Sequence, residues 1–486
     1  MRCIVAFPKI IFDSFPQWVE LYEYSCQLAL ENIDSKEYRP GWLPQMTCMP
    51  GWGKIWQWDS CFMAFFAKYF NNMISPMNNL DNLYSLQRSD GYISMAYMIE
   101  SGEPAFGERI NPPLYAWCEW EYYRFSGDKK RVEKVLPILK KYYKWIENNR
   151  RRKNQLYFFE DSGSSGMDNA PRSAFPAANL AGSDVCWIDL ACQQVLSARS
   201  LAKLSQVVNS DDDVEFFNFE AERISALINL HHYKSSTGFY YDLFDATFNA
   251  LANKTVAGFW PMVSEVADLD KVHHLIKHLN DKNEFNTPHP VPVLSKDDPN
   301  YTPDGGYWLG SVWAPTNYMV VKGLQKYGYH ALAREIAVRH VDMMSKVYHD
   351  PAYPSVWECY SPEYIKPATK DKNPAENGLL VRDRFVGWSA LGPVAMFIEN
   401  IIGLDFDAPA RRILWRISER NHHGIENFNF AGENISLYCN GNKGFNHTEI
   451  KVVSTGNFTI SVIPEGRSET ETTDFSIVPG DNFFLV

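Results

Sequence analysis

Two carboxylates in this chain stand in loops where acid–base chemistry could be done. Asp168 lies in GSSGMDNAPR, residues 163–172, a stretch too rich in Gly, Ser and Pro for a helix interior and suited to holding a side chain at the mouth of a pocket. Glu358 lies in VWECYSPE, far downstream and also among aromatic residues. Such a pair serves glycoside hydrolysis, in which one carboxyl protonates the leaving oxygen while the other activates water or attacks carbon. The acid would have to stay protonated near neutral pH although a free Asp titrates at about 3.9, a perturbation of about 2.7 kcal/mol that apolar walls supply by penalising the charged form. The base has the opposite need and calls for hydrogen-bond donors. Either residue alone has a plainer reading, Asp168 as a turn former and Glu358 as a solvated helix residue.

The order of motifs along the chain decides between these readings. WQWDSCF (56–62), LQRSDGYI (86–93), ERINPPLYAW (108–117), GMDNAPR (166–172), TGFYYDL (237–243), FNTPHPVP (285–292), GGYWLGSVWAPTNY (305–318), WECYSP (357–362) and FVGWSALGP (385–393) follow one another. Through residues 40–400 the chain resembles the clan of inverting glycosidases that includes family 63 α-glucosidases, mannosylglycerate and glucosylglycerate hydrolases, and family 37 trehalases. The resemblance implies Asp168 as general acid, Glu358 as general base and Asp59 as a holder of sugar hydroxyls at the innermost subsite, beside Trp58. A helix cap is the alternative for Asp59. Arg109 fits a sugar contact through its planar fork, or a structural salt bridge. Trp308, Trp313 and Trp388 are candidate stacking platforms, or core. The sequence departs from the family pattern at Leu309, where Arg is usual, at Ser311 and Ala314, which replace prolines, and at Asn111, where relatives commonly carry Gln; Asn111 is kept as a substrate contact. These departures bear on sugar specificity more than on the reaction.

Amphipathic helices must position these loops. Amphipathic segments run over 18–33, 60–70, 114–125, 131–148, 183–204, 213–230, 315–327, 330–347 and 388–402, several with apolar residues at spacings of three and four, as in Val132, Val135, Leu136, Leu139, Tyr143 and Ile146. They predict an all-α main domain over residues 1–404, which the resemblance sharpens to an (α/α)6 barrel, a toroid of six helical hairpins. From residue 405 the texture changes to short β-prone runs, 435–438, 449–453, 458–463 and 483–486, between Gly and Asn turns, and residues 405–486 read as a small β-sandwich-like domain.

Composition narrows the partners. A formal net charge of −11 argues against nucleic acid, and no run of eighteen apolar residues marks a membrane span. Aromatic residues make up 15% of the chain, which suits a site for the flat C–H faces of sugars. Nine cysteines without a CxxC pair indicate neither a zinc site nor a disulfide framework. His273, His274, His289, His422 and His423 lack metal-ligand spacing, and Asp297, Asp298 and Asp304 lack a calcium-loop pattern, so no metal and no cofactor is expected. In the N-terminal MRCIVAFPKIIFDSF, Pro8 and Lys9 interrupt the apolar run, which favours the cytoplasm; a periplasmic or secreted location would require a leader already removed. The expected activity is exo-acting, inverting removal of a terminal α-linked glucosyl or related residue from an oligosaccharide or small glycoside. Its rivals are an epimerase or lyase on the same toroid, which would need a His or Tyr base, and a carbohydrate-binding, degenerate hydrolase. Oligomeric state is left open.

Overall fold

The computed structural model describes residues 7–70, 74–172, 184–371, 379–419, 421–442, 448–464 and 469–486. Among the described residues the α-helices are α1 (Pro16–Glu31), α2 (Gln57–Ala67), α3 (Asn78–Tyr84), α4 (Tyr115–Ser126), α5 (Lys129–Asn149), α6 (Ile188–Val207), α7 (Asp211–His231), α8 (Trp260–Val263), α9 (Leu269–Asn280), α10 (Ala314–Lys326) and α11 (His330–His349). The last helix of this layer, Gly392–Ile402, is wound with the wider π pitch. A Cβ at Gly392 would lie 2.8 Å from both His340 Cδ2 and Met344 Sδ of α11, so a larger residue there would push these side chains aside.

Burial separates inner from outer helices. Every residue of α2 is buried, as expected for a helix apolar on all sides, whereas α5 and α9 bury one stripe each, Val272, Leu275 and Leu279 in α9. The nine helices expected from periodicity coincide with observed ones to within a few residues; the expected start of α6, Ser183, lies outside the described residues. Helices α3, α8 and α9 went unread, although α9 carries the spacing signal.

Two sheets follow the helices. Five antiparallel strands run in the order Lys9–Phe12, His423–Phe430, Glu433–Asn442, Thr448–Ser454, Gly480–Leu485, and four in the order Leu404–Asp407, Arg412–Arg416, Phe458–Ile463, Thr473–Ile477. Within the four-stranded sheet Arg412–Arg416 and Phe458–Ile463 pair in parallel. Thr448–Ser454 shows why one face turns inward: Ile450, Val452 and Ser454 are buried and the residues between them are not. The β region takes a strand from the other end of the chain, with Ile10 opposite Ile425 and Phe12 opposite His423. Pairing partners some 400 residues away leave no local mark. The sheets dock on the helices through Phe406 against Phe125 and Tyr69, Phe12 against Phe397, and a hydrogen bond from Trp415 Nε1 to the Ile402 carbonyl at 2.9 Å. Among the described residues no helix is long and apolar enough to cross a membrane.

Candidate active site

A cavity of about 240 Å³ opens among the loops that precede α2, α6 and α10, and its lining includes Asp59, Asp168 and Glu358. The Asp168 loop is built by its own small residues. Asp161 Oδ1 accepts from the amide and the hydroxyl of Ser164 at 2.8 and 3.0 Å, and Gly166 turns with φ of 79°, where a Cβ would come within 3.0 Å of the Trp58 ring. Two clamps then fix the loop. The Asn169 side chain donates to the Gly306 carbonyl at 3.1 Å and accepts from Trp308 N–H at 2.8 Å, tying the acid loop to the GGYWLG block. Arg172, fully buried and stacked over Trp187, is shared between Asp189 and Asp242, with nearest contacts of 2.6 and 2.7 Å.

Asp168 keeps contact with pocket solvent on one side while protein crowds it on the others. That crowding, followed by the negative charge of Glu358, raises its carboxyl to about 7, with Arg382 pulling the other way. Glu358 is buried and heavily braced. Arg382 Nη1 donates to its two oxygens at 2.7 and 2.8 Å, Tyr307 Oη donates to Oε1 at 3.0 Å, and the Glu358 carbonyl accepts from Trp388 Nε1 at 3.2 Å. Tyr307 reaches it from a backbone forced into the left-handed region, φ of 67°, directly after Gly305 and Gly306, which share that conformation.

Asp59 sits in the first turn of α2 but does not cap it; Trp56 occupies the cap position, and Asp59 Oδ1 accepts a hydrogen bond from Cys48 Sγ at 3.2 Å. Burial raises its carboxyl to about 7, opposed by the Cys48 bond and helped by Glu358 and Asp168. Three carboxyls thus share one cavity, where burial first and the neighbouring negative charges second raise Asp59 and Asp168.

Of the residues singled out in the sequence, Trp58, Asp59, Arg109, Asn111, Asp168, Trp308, Glu358 and Trp388 line this cavity. Trp313 does not. It is wholly buried behind the wall, stacked on Trp308 at 4.1 Å and 9°, so it backs Trp308 without facing the cavity. Arg109 lines the cavity and pairs with Asp161 at 2.8 Å. Asn111 donates from its amide to the Ser164 carbonyl at 3.2 Å, and its buried Oδ1 has no partner among the described residues. The sequence reading missed Arg382, Tyr307, Trp52, Trp56 and Phe106. Tyr307 was signalled by the two glycines before it, whereas nothing local in VRDRF marks Arg382.

Among the described residues no group of three or more His, Cys, Asp or Glu side chains is placed to hold a metal ion. Asp297 and Asp304 pair with Lys254 and Lys366, and Asp298 accepts from Asn253. A second cavity, about 320 Å³, lies at the opposite ends of α2, α4, α6 and α10. Its carboxylates are committed to cations: although burial works to raise Glu399, Lys322 and Lys68 outweigh it and hold that group at about 2, unfit to give or take a proton near neutrality.

Residues 53–369 match the mannosylglycerate hydrolase MGH1-like glycoside hydrolase domain. An uncharacterized protein of Borreliella burgdorferi is 33% identical over 434 residues, covering 85% of this chain and 87% of its own length. A mannosyl-oligosaccharide glucosidase of Arabidopsis thaliana is 22% identical over 337 residues, 59% of this chain and 36% of that protein, so the chain spans about a third of that relative. Among solved structures, the GH63 mannosylglycerate hydrolase of Thermus thermophilus in complex with glucose superposes with a TM-score of 0.62 at 18% identity, over 77% of this chain and all of that one.

Proposed function

We propose, for a chain that belongs to the mannosylglycerate hydrolase MGH1-like family of glycoside hydrolases within family 63, that it is an exo-acting, inverting hydrolase of a terminal α-linked glucosyl or related residue. Its helical layer is read as an (α/α)6 toroid with the site at the end where the motif loops gather. The observation that carries the reading is two carboxyls in one small cavity: Asp168, raised to about 7, and Glu358, hydrogen-bonded by Arg382 and Tyr307.

In the proposed reaction Asp168 gives its proton to the glycosidic oxygen as the bond to the anomeric carbon breaks. Glu358 takes a proton from a water that attacks the same carbon from the opposite face, and the sugar leaves with inverted configuration. The next turnover needs the proton to pass from Glu358 back to Asp168 through solvent, to which Asp168 is open. Asp59 and the unpartnered Asn111 Oδ1 receive hydroxyls of the innermost sugar, and Trp308 and Trp388 supply flat walls. No metal enters this scheme.

The test is one proton NMR time course on an α-glycoside, read before mutarotation. The β-anomer should appear first; α-anomer first would mean retention and would remove Glu358 as a base toward water. An ultraviolet-absorbing unsaturated product would mean a lyase.

A further inference from the structure

Asp59, the carboxylate that meets the innermost sugar in the reading above, is steered by a residue the sugar does not touch. Cys48 is buried and stands outside the cavity lining, and its thiol donates to Asp59 Oδ1 at 3.2 Å. Asp59 is more than nine-tenths buried yet lines the cavity, and its Oδ2 accepts no hydrogen bond from another residue among the described ones. One oxygen of this carboxylate is thus engaged by the protein, and the other is left for a ligand.

The donor is anchored on both sides. Just before it, Met46 N–H donates to Asn79 Oδ1 and Thr47 N–H to the Asn32 carbonyl, each at 2.9 Å. The Cys48 carbonyl accepts from the N–H groups of Val386 and Gly387, both at 3.1 Å. Gly387 lets the two segments come this close, since a Cβ there would stand 3.0 Å from Cys48 Cβ and 3.2 Å from its Sγ. The next residue, Trp388, lines the cavity and donates to the Glu358 carbonyl. Residue 48 therefore joins the sugar-holding carboxylate to the loop that backs Glu358. A hydrogen bond to a charged acceptor is stronger than one between neutral groups, so even the weak S–H donor biases the carboxylate's rotation. Resting on the hydrolase reading above, we infer that Cys48 is a positioning residue for the innermost sugar: its thiol fixes the rotation of Asp59 so that Oδ2 meets a sugar hydroxyl.

A double-mutant cycle tests this, on the para-nitrophenyl α-glucoside or α-mannoside, whichever the wild type cleaves. Cys48→Ala should lower kcat/KM about three- to tenfold, chiefly through KM, because a misturned carboxylate weakens sugar binding before and during the reaction alike. Cys48→Ser, which keeps a donor, should recover most of the loss. In an Asp59→Ala background Cys48→Ala should cost less than about twofold, since the acceptor it serves is gone. Ser and Ala are smaller than Cys and clear Gly387, so melting temperatures should stay close to that of the wild type. An unchanged kcat/KM in Cys48→Ala, an equal loss in both backgrounds, a loss confined to kcat, or a Cys48→Ser protein no better than Cys48→Ala overturns the inference and leaves the hydrolase standing. If Cys48→Ala does not fold, Cys48→Ser decides: kcat/KM within about fivefold of wild type upholds the inference and a lower value overturns it. A wild type that cleaves neither glycoside removes the hydrolase reading and this one together.

Discussion

Asp59→Asn should make the protein more stable at alkaline pH while damaging its binding of sugar. Asp59 is 3% exposed, and burial lifts its carboxyl from the ordinary 3.8 to about 7. A group whose folded value lies above its unfolded one binds its proton more tightly in the folded state, so it adds no penalty below both values. Stability is then lost progressively as pH rises from the unfolded value to the folded one, and the full penalty holds above about 7. At 1.36 kcal/mol per unit the penalty comes to about 1.7 kcal/mol at pH 5 and about 4 kcal/mol at pH 8. Asn cannot ionise, and its Oδ1 still accepts from Cys48, so the variant escapes the penalty without losing that bond. Urea unfolding followed by tryptophan fluorescence at pH 5 and pH 8 should show the advantage of the variant growing by about 2–3 kcal/mol between the two. A difference that does not change with pH, or a variant less stable at pH 8, would refute the claim that burial holds this carboxyl against its own charge. A monosaccharide inhibitor should bind the variant more weakly in the same samples.

Asp168→Asn and Glu358→Gln should each lower kcat by about 10² to 10⁴ with melting temperature preserved, and near-normal turnover would remove that residue from the mechanism. Because Asp168 must carry its proton and titrates at about 7, wild-type kcat/KM should fall about tenfold per unit above that pH; a flat profile to pH 9 would exclude it as the acid. Arg172→Met should destabilise the fold by about 3–5 kcal/mol, since Asp189 and Asp242 would stay buried without their cation, and a melting temperature within a degree of wild type would contradict the clamp. Treatment with EDTA should leave turnover unchanged; loss restored by a divalent ion would require a metal in the scheme.

Much of this site was legible because its chemistry is written in short local motifs. The Gly and Ser residues around Asp168 determine a loop by their backbone freedom, the glycines before Tyr307 determine a left-handed entry, and the periodicity of α5 or α11 determines which stripe is buried, all within a few residues of the position concerned. Tertiary structure decided whatever depends on partners distant in the chain. It put Arg382 against Glu358, turned Trp313 away from the cavity behind Trp308, gave Asp59 to Cys48 in place of a helix cap, and paired residues 9–12 with a strand some 400 residues later. The protonation of Asp168 and Asp59 also belongs to this second class. A carboxyl's affinity for its proton is set by the dielectric and the charges within a few ångströms, and those come from the loops before α2 and α6 and around residue 358, brought together only when the chain closes on itself.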